Sequence, residues 1–206
     1  MQNKQPIIVA FDLEGTLMPE MWVEIAEHKG IEELRKTTAD IADYNELKAL
    51  RVKALAKHGI ALADMQSIIE ETKVYKGAWE LLKWVNEQEG VQPVIVSDTF
   101  YQFVIPVIKK LGNPMIFCNT LTVNNEGYVV GYERRQEDQK RAVVRSFHDM
   151  NFKVIAIGDS FNDAAMFEDA DAAAFYRAND VVREQFPQYR SFQTYNDVKE
   201  FISQHI

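Results

Sequence analysis

Five short apolar runs without alternation constrain this chain more than any other feature. They are Ile7-Ile8-Val9-Ala10-Phe11, Pro93-Val94-Ile95-Val96, Met115-Ile116-Phe117-Cys118, Val154-Ile155-Ala156-Ile157 and Ala172-Ala173-Ala174-Phe175. Each is rich in β-branched residues or alanine and stops abruptly at polar residues or glycine. A strand with one wet face alternates, so these runs predict strands buried on both faces, as in a parallel sheet. Helical spacing fills the gaps: Trp79, Leu82 and Val85 recur at every third residue, as do Val144, Phe147 and Met150. The alternation of strand and helix predicts an α/β fold with a doubly wound parallel sheet. Trp79, Trp84 and Phe147 are expected on helix core faces, and Cys118 as packing at the end of a buried strand.

Two stretches interrupt the alternation. Residues 20–75 hold no strand pattern, and Tyr44, Leu47, Leu50, Ala54 and Leu55 fall on one helical stripe. The expected organisation is therefore 1–19 as core, 20–75 as a small helical cap inserted after the first strand, and 76–206 as the remaining core. The second interruption is Leu121-Thr122-Val123 and Tyr128-Val129-Val130 around Asn124-Asn125-Glu126-Gly127. Alternation about an Asn/Gly turn predicts a β-hairpin.

Charge narrows the partners. Lys plus Arg number 23 against 31 Asp plus Glu, a net charge of −8. Such a chain is a poor general binder of nucleic acid or anionic membranes, yet a local positive site can still hold a small phosphorylated substrate. One cysteine cannot pair internally, and Ile7–Phe11 is too short for a signal-peptide core, so the expected place is the cytoplasm. The four histidines lack ligand spacing, and no zinc site is expected.

In open α/β sheets the reactive site lies outside the carboxyl ends of the strands. After the first run comes Asp12-Leu13-Glu14-Gly15-Thr16, after the second Ser97-Asp98-Thr99, and after the fourth Gly158-Asp159-Ser160-Phe161-Asn162-Asp163. Taken singly, each has a plain reading: a loop carboxylate, an N-cap run at Ser97-Asp98-Thr99, an N-cap at Asn162. Taken together and in order, they gather carboxylates, hydroxyls and glycine at one edge. Lys140 adds a cation at the expected start of a helix, where a positive charge opposes the helix dipole unless an anion is near. A solvated surface lysine is the alternative there, and Arg141 competes for the same role. Arg51 lies four residues after Leu47 and four before Leu55, hence on their stripe. A guanidinium on an apolar face needs a partner, either a ligand carboxylate or a structural one such as Glu46.

These motifs resemble those of the haloacid dehalogenase-like superfamily of phosphotransferases, over essentially the whole chain. Asp12-Leu13-Glu14-Gly15-Thr16 resembles the first motif, Ser97 the second, Lys140 a candidate for the third, and Gly158 to Asp163 the fourth. Within the superfamily the chain is most similar to the phosphoserine phosphatase group. Asp-Leu-Glu-Gly, Pro19-Glu20-Met21-Trp22 and Val96-Ser97-Asp98-Thr99-Phe100 look like its bifunctional members, which also transfer phosphate to homoserine.

The resemblance implies phosphoryl transfer through an aspartyl-phosphate on Asp12, with Glu14 as general acid and base. Family members usually have Asp in place of Glu14, a departure the bifunctional members share. It implies Mg2+ held by Asp12, the backbone carbonyl of Glu14 and Asp159, with Asp163 orienting metal-bound water or the loop. Ser97, Asp98, Lys140 and Asn162 are implied at the phosphate or substrate, Glu20 at the substrate ammonium and Arg51 at its carboxylate. Phosphoserine, and homoserine as acceptor, are the implied small-molecule partners, and a homodimer stays open. Two other readings compete: a phosphatase of another small phosphomonoester, and a receiver-like phospho-acceptor module, against which the helical insertion and Glu14 both argue.

Overall fold

In a computed structural model, residues 5–37, 40–41 and 44–206 are described; the side chain of Tyr44, part of the expected stripe, lies outside them. The strands are β1 (Ile7–Phe11), β2 (Val91–Phe100), β3 (Met115–Val123), β4 (Val129–Glu133), β5 (Lys153–Gly158), β6 (Ala172–Tyr176) and β7 (Arg190–Phe192). The helices are α1 (Met21–Lys29), α2 (Tyr44–His58), α3 (Leu62–Glu71), α4 (Ala78–Asn86), α5 (Tyr101–Ile108), α6 (Gln139–Asp149), α7 (Ala164–Asp169), α8 (Asp180–Gln185) and α9 (Tyr195–Ser203). The sheet order is β4-β3-β2-β1-β5-β6-β7, parallel throughout except for β4.

The unalternating runs are explained by what covers the sheet. Ile7, Val9 and Phe11 of β1 join one apolar cluster with Ile95, Ile155 and Ile157, while Ile8 and Ala10 join a second with Val94, Val96, Val154 and Ala156. Side chains of a strand alternate sides, so both faces of β1 are buried and every position is apolar. The chain leaves β1 for β2 on one side and reaches β5 on the other, which makes β1 the switch point of the sheet.

Between β1 and α4 the described residues form α1, α2 and α3, and α2 packs against β4 while α3 packs against α1 and α5. The hairpin forms with its turn at Asn124–Gly127, where Gly127 adopts a φ of 87°. Four expectations are corrected. Met115–Cys118 and Leu121–Val123 are one strand, so Cys118 is buried in the interior of β3 rather than at its end. Trp79 is 42% exposed and Met150 58%, because the buried face of α4 is Ala78, Leu81, Leu82 and Val85, and α6 ends before Met150. Trp84 is only half-buried at the edge of the core. Strand β7 was not expected; it is three residues long and shows no apolar run.

Candidate active site

Three strand ends meet beside the switch point. Asp12 follows β1 directly, and its N–H donates to the Ile157 carbonyl of β5 at 2.8 Å, so its position is fixed by the sheet. Ser97, Asp98 and Thr99 lie in the last turn of β2, and Gly158 closes β5. The N-cap reading of Ser97-Asp98-Thr99 fails, since the residue flanking α5 is Phe100. That of Asn162 fails as well, because Asn162 sits inside a short 3-10 turn, Phe161–Asp163, that Ser160 precedes.

Lys140 is the hub of the site. It is 2% exposed, and its Nζ donates to Asp12 Oδ1 at 2.7 Å and to Asp163 Oδ1 at 2.5 Å. The anion that its place in the first turn of α6 requires is thus a pair of carboxylates. Arg141 instead pairs with Asp138, Glu168 and Asp169, so Lys140 and not Arg141 is the cation on Asp12. Both Asp163 oxygens are occupied: Oδ1 accepts from Lys140, and Oδ2 accepts from the N–H groups of Asp159 and Ser160 at 2.9 and 3.0 Å. Asp159 Oδ1 accepts from the Thr16 hydroxyl at 3.3 Å. Two glycines make the crowding tolerable. A Cβ on Gly15, whose φ is 84°, would fall inside the Asp159 carboxylate, and one on Gly158 would fall inside that of Asp163.

The carboxylate oxygens of Asp12, Asp159 and Asp163 lie within 4.8 Å of one another. Burial pushes Asp12 up to about 8, with repulsion from Asp163 and Glu20 adding to it, and Asp159 up to about 9, with repulsion from Asp12 and Asp163 adding to it, each against the pull of Lys140. Lys140 supplies one positive charge to three acids, so a further cation would let the two raised carboxyls of this set of hard oxygens ionise. That fits a divalent cation such as Mg2+, with Asp12 and Asp159 as the side-chain donors. The full hydrogen-bonding of Asp163 fits a supporting position behind them.

Glu14 points toward the helical insertion. Its Oε1 accepts from the Met21 N–H at 2.8 Å, and burial, with Glu20 and Asp12 nearby, pushes its carboxyl up to about 8. Burial likewise raises Glu20, opposed by Arg51 and Lys140. Arg51 is 7% exposed; it donates from Nη2 to the Lys36 carbonyl at 2.7 Å and stacks over Trp22 at 4.8 Å. Asp12, Glu14, Glu20, Arg51, Ser97, Asp98 and Asn162 line one cavity of about 90 Å3. Asn162 Nδ2 donates to Asp98 Oδ2 at 3.2 Å, which ties the end of β2 to the loop after β5. Of the expected site residues, Lys140 joins Asp12 and Asp163 and lines an adjoining cavity with Glu20, Asp98 and Asn162, and Asp159 lies beside both aspartates.

The sequence reading missed Trp22, which carries the Arg51 guanidinium, and Gln139, whose Nε2 donates to the Ser97 carbonyl at 2.8 Å and so couples β2 to α6. It also missed Thr99 as a wall of the cavity. Trp22 and Thr99 left a signal, since both stand inside quoted motifs, Pro19-Glu20-Met21-Trp22 and Val96-Ser97-Asp98-Thr99-Phe100.

An open parallel sheet, a helical insertion after its first strand and acids gathered with a buried lysine at the switch point define an α/β enzyme. A sequence profile of the haloacid dehalogenase-like hydrolases matches residues 8–171. A phosphoserine phosphatase of Pseudomonas syringae pv. tomato is 43% identical over 196 residues, covering 95% of this chain and 82% of that protein. Phosphoserine phosphatase ThrH of Pseudomonas aeruginosa is 42% identical over 192 residues, 93% of each. Among solved structures, a phospho-aspartyl intermediate analogue of phosphoserine phosphatase superposes with a TM-score of 0.79 at 22% identity, covering 96% of this chain and 99% of the other, a likeness of fold. The chain belongs to the haloacid dehalogenase-like hydrolases, in their phosphoserine phosphatase group. That membership sets aside the receiver-like reading.

Proposed function

We propose that this enzyme is a phosphoserine phosphatase that works through an aspartyl-phosphate on Asp12 and also passes the phosphoryl group to homoserine. The observation that carries the reading is one cavity holding Asp12, Glu14, Ser97, Glu20 and Arg51 together, with Lys140 bonded to Asp12. A nucleophile, an acid, a hydroxyl donor and a plus/minus pair are what a phosphorylated amino acid requires. The similarity to two curated phosphoserine phosphatases supports the same substrate.

In the first half-reaction an Asp12 oxygen attacks phosphorus in line and the ester P–O bond breaks. Glu14, kept protonated near neutrality by its burial, gives its proton to the departing serine alkoxide. The Lys140 ammonium holds Asp12 in place and offsets its charge, and the Ser97 hydroxyl donates to a phosphate oxygen. The Ser97 Oγ already accepts from the Thr99 N–H at 3.3 Å, which leaves its proton for the substrate. In the second half-reaction Glu14 takes a proton from water as the water oxygen bonds to phosphorus, the P–O bond to Asp12 breaks, and phosphate leaves with Asp12 regenerated. Asp12, Asp159 and the Glu14 carbonyl would hold a divalent cation, Mg2+ by its preference for oxygen, which would supply the charge that lets a carboxylate meet a phosphate dianion.

Glu20 takes the substrate ammonium and Arg51 its carboxylate, with Asp98 and Asn162 bordering the bound phosphate ester. Homoserine carries the same zwitterion one methylene further from its hydroxyl, so the same pair of charges seats it, and Glu14 then takes the hydroxyl proton in place of water's. Segment 20–75 acts as the cap that carries this selectivity. We place the work in the cytoplasm, on a free small metabolite.

The test is the product set from phosphoserine and Mg2+, with and without homoserine. Wild type should release phosphate in the first tube and form phosphohomoserine in the second, and Asp12→Asn should do neither. Undiminished phosphate release by Asp12→Asn removes the nucleophile assignment, and phosphate without phosphohomoserine removes the transfer.

A further inference from the structure

Thr99 is 3% exposed, and its Oγ1 is buried without a hydrogen-bond partner among the described residues. A buried hydroxyl left unpaired costs roughly 1–3 kcal/mol, so native structures rarely keep one unless something else satisfies it. Thr99 is a wall of the same cavity as Glu14, Glu20 and Arg51. Its backbone is not idle, since its N–H donates to Ser97 Oγ, so the position is fixed while the side-chain hydroxyl is left over. Phe100, the next residue, packs edge-on against Trp22 at 6.4 Å, and Trp22 carries the Arg51 guanidinium at 4.8 Å. Thr99, Trp22 and Arg51 all line that one small cavity.

We infer that the Thr99 hydroxyl is a specificity-determining contact: it donates to the carboxylate of the bound amino-acid phosphate, alongside Arg51. The inference rests on the proposed reading and adds a second donor to the charged head of the substrate. An isosteric Thr99→Val removes the donor without opening space. A structural hydroxyl would cost stability when lost, whereas an unpaired one would not.

The experiment compares wild type, Thr99→Val and Thr99→Ser on phosphoserine and on phosphoethanolamine, which keeps the phosphate and ammonium and lacks the carboxylate. Melting temperatures are taken without substrate. Thr99→Val is expected to melt at or above wild type and to lose about 10- to 100-fold in kcat/KM for phosphoserine, mostly through KM. Its rate on phosphoethanolamine should match wild type, and Thr99→Ser should stay within a few-fold on both compounds. Equal losses on the two substrates, unchanged phosphoserine kinetics, or a clearly lowered melting temperature each overturn the assignment of Thr99 alone. A wild type that hydrolyses neither compound instead overturns the phosphoserine reading, and the contact with it.

Discussion

Glu14 shows how one side chain takes its role from its surroundings. A free glutamate is ionised at neutral pH and has no proton to give. Buried against the insertion and facing Glu20, this one is raised to about 8, so the proton needed for the leaving alkoxide is present before the reaction begins. The single N–H from Met21 aims it. Glu14→Gln keeps the size and the hydrogen-bond acceptor but cannot exchange protons. It should lower kcat for phosphoserine by about 10^2- to 10^4-fold while leaving substrate binding nearly intact. Single-turnover kinetics with titration of a non-hydrolysed analogue checks this, and a Glu14→Gln enzyme turning over at the wild-type rate refutes it. Lys140 makes the matching point from the opposite charge, since its neighbour Arg141, equally cationic, is spent on three surface acids.

At the scale of elements, the site depends on how closely two turns approach each other. The loop after β1 and the turn after β5 interlock because Gly15 lies against Asp159 and Gly158 lies against Asp163, with no room for a methyl group at either. Asp163 cannot yield readily, being held by Lys140 and by two backbone N–H groups. Gly158→Ala should therefore push Asp163 off Lys140 and destabilise the protein by roughly 1–3 kcal/mol, the usual cost of overpacking. Denaturant unfolding reads the stability, and phosphatase activity should fall with it. A variant with wild-type stability and activity would show that the turn after β5 relaxes more easily than its packing suggests. The insertion has its own internal logic: Arg51 is held on α2 by the Trp22 ring of α1 and the Lys36 carbonyl, so two of its segments fix one side chain.

For the whole molecule, the site trades stability for function. Asp12, Glu14 and Asp159 all have carboxyls raised to about 8 or 9 in the metal-free fold, while in the unfolded chain they ionise near pH 4. Between those limits the folded state binds more protons than the unfolded one, so stability must fall as pH rises. The melting temperature of metal-free protein should drop steadily from pH 5 to pH 8. Saturating Mg2+ should remove much of that slope, because a bound cation favours the ionised acids. Melting curves across that range, with and without Mg2+, measure both, and a metal-free melting temperature that rises with pH contradicts the account. No helix among the described residues is long and apolar enough to cross a membrane.

The division between sequence and tertiary structure follows from range. Local patterns determined what local physics controls: runs buried on both faces became β1, β2, β5 and β6, helical spacing became α4 and α6, and an Asn/Gly turn became the β3–β4 hairpin. The order of acids at the strand ends was equally legible, because a parallel sheet brings those ends to one edge. What the sequence could not carry was contact between distant residues. Only folding put Lys140 on Asp12, 128 positions away, and sent Arg141 outward, since a helix turns about 100° per residue and the core decides which side faces in. Trp79 kept the right spacing and still came out exposed, because spacing defines a stripe and neighbouring elements decide how wide the buried part is, and Met150 is exposed because α6 ends before it. Thr99 belongs to the same class: in the sequence it is one more polar residue after a strand, and only the packing around it leaves its hydroxyl buried and unpaired.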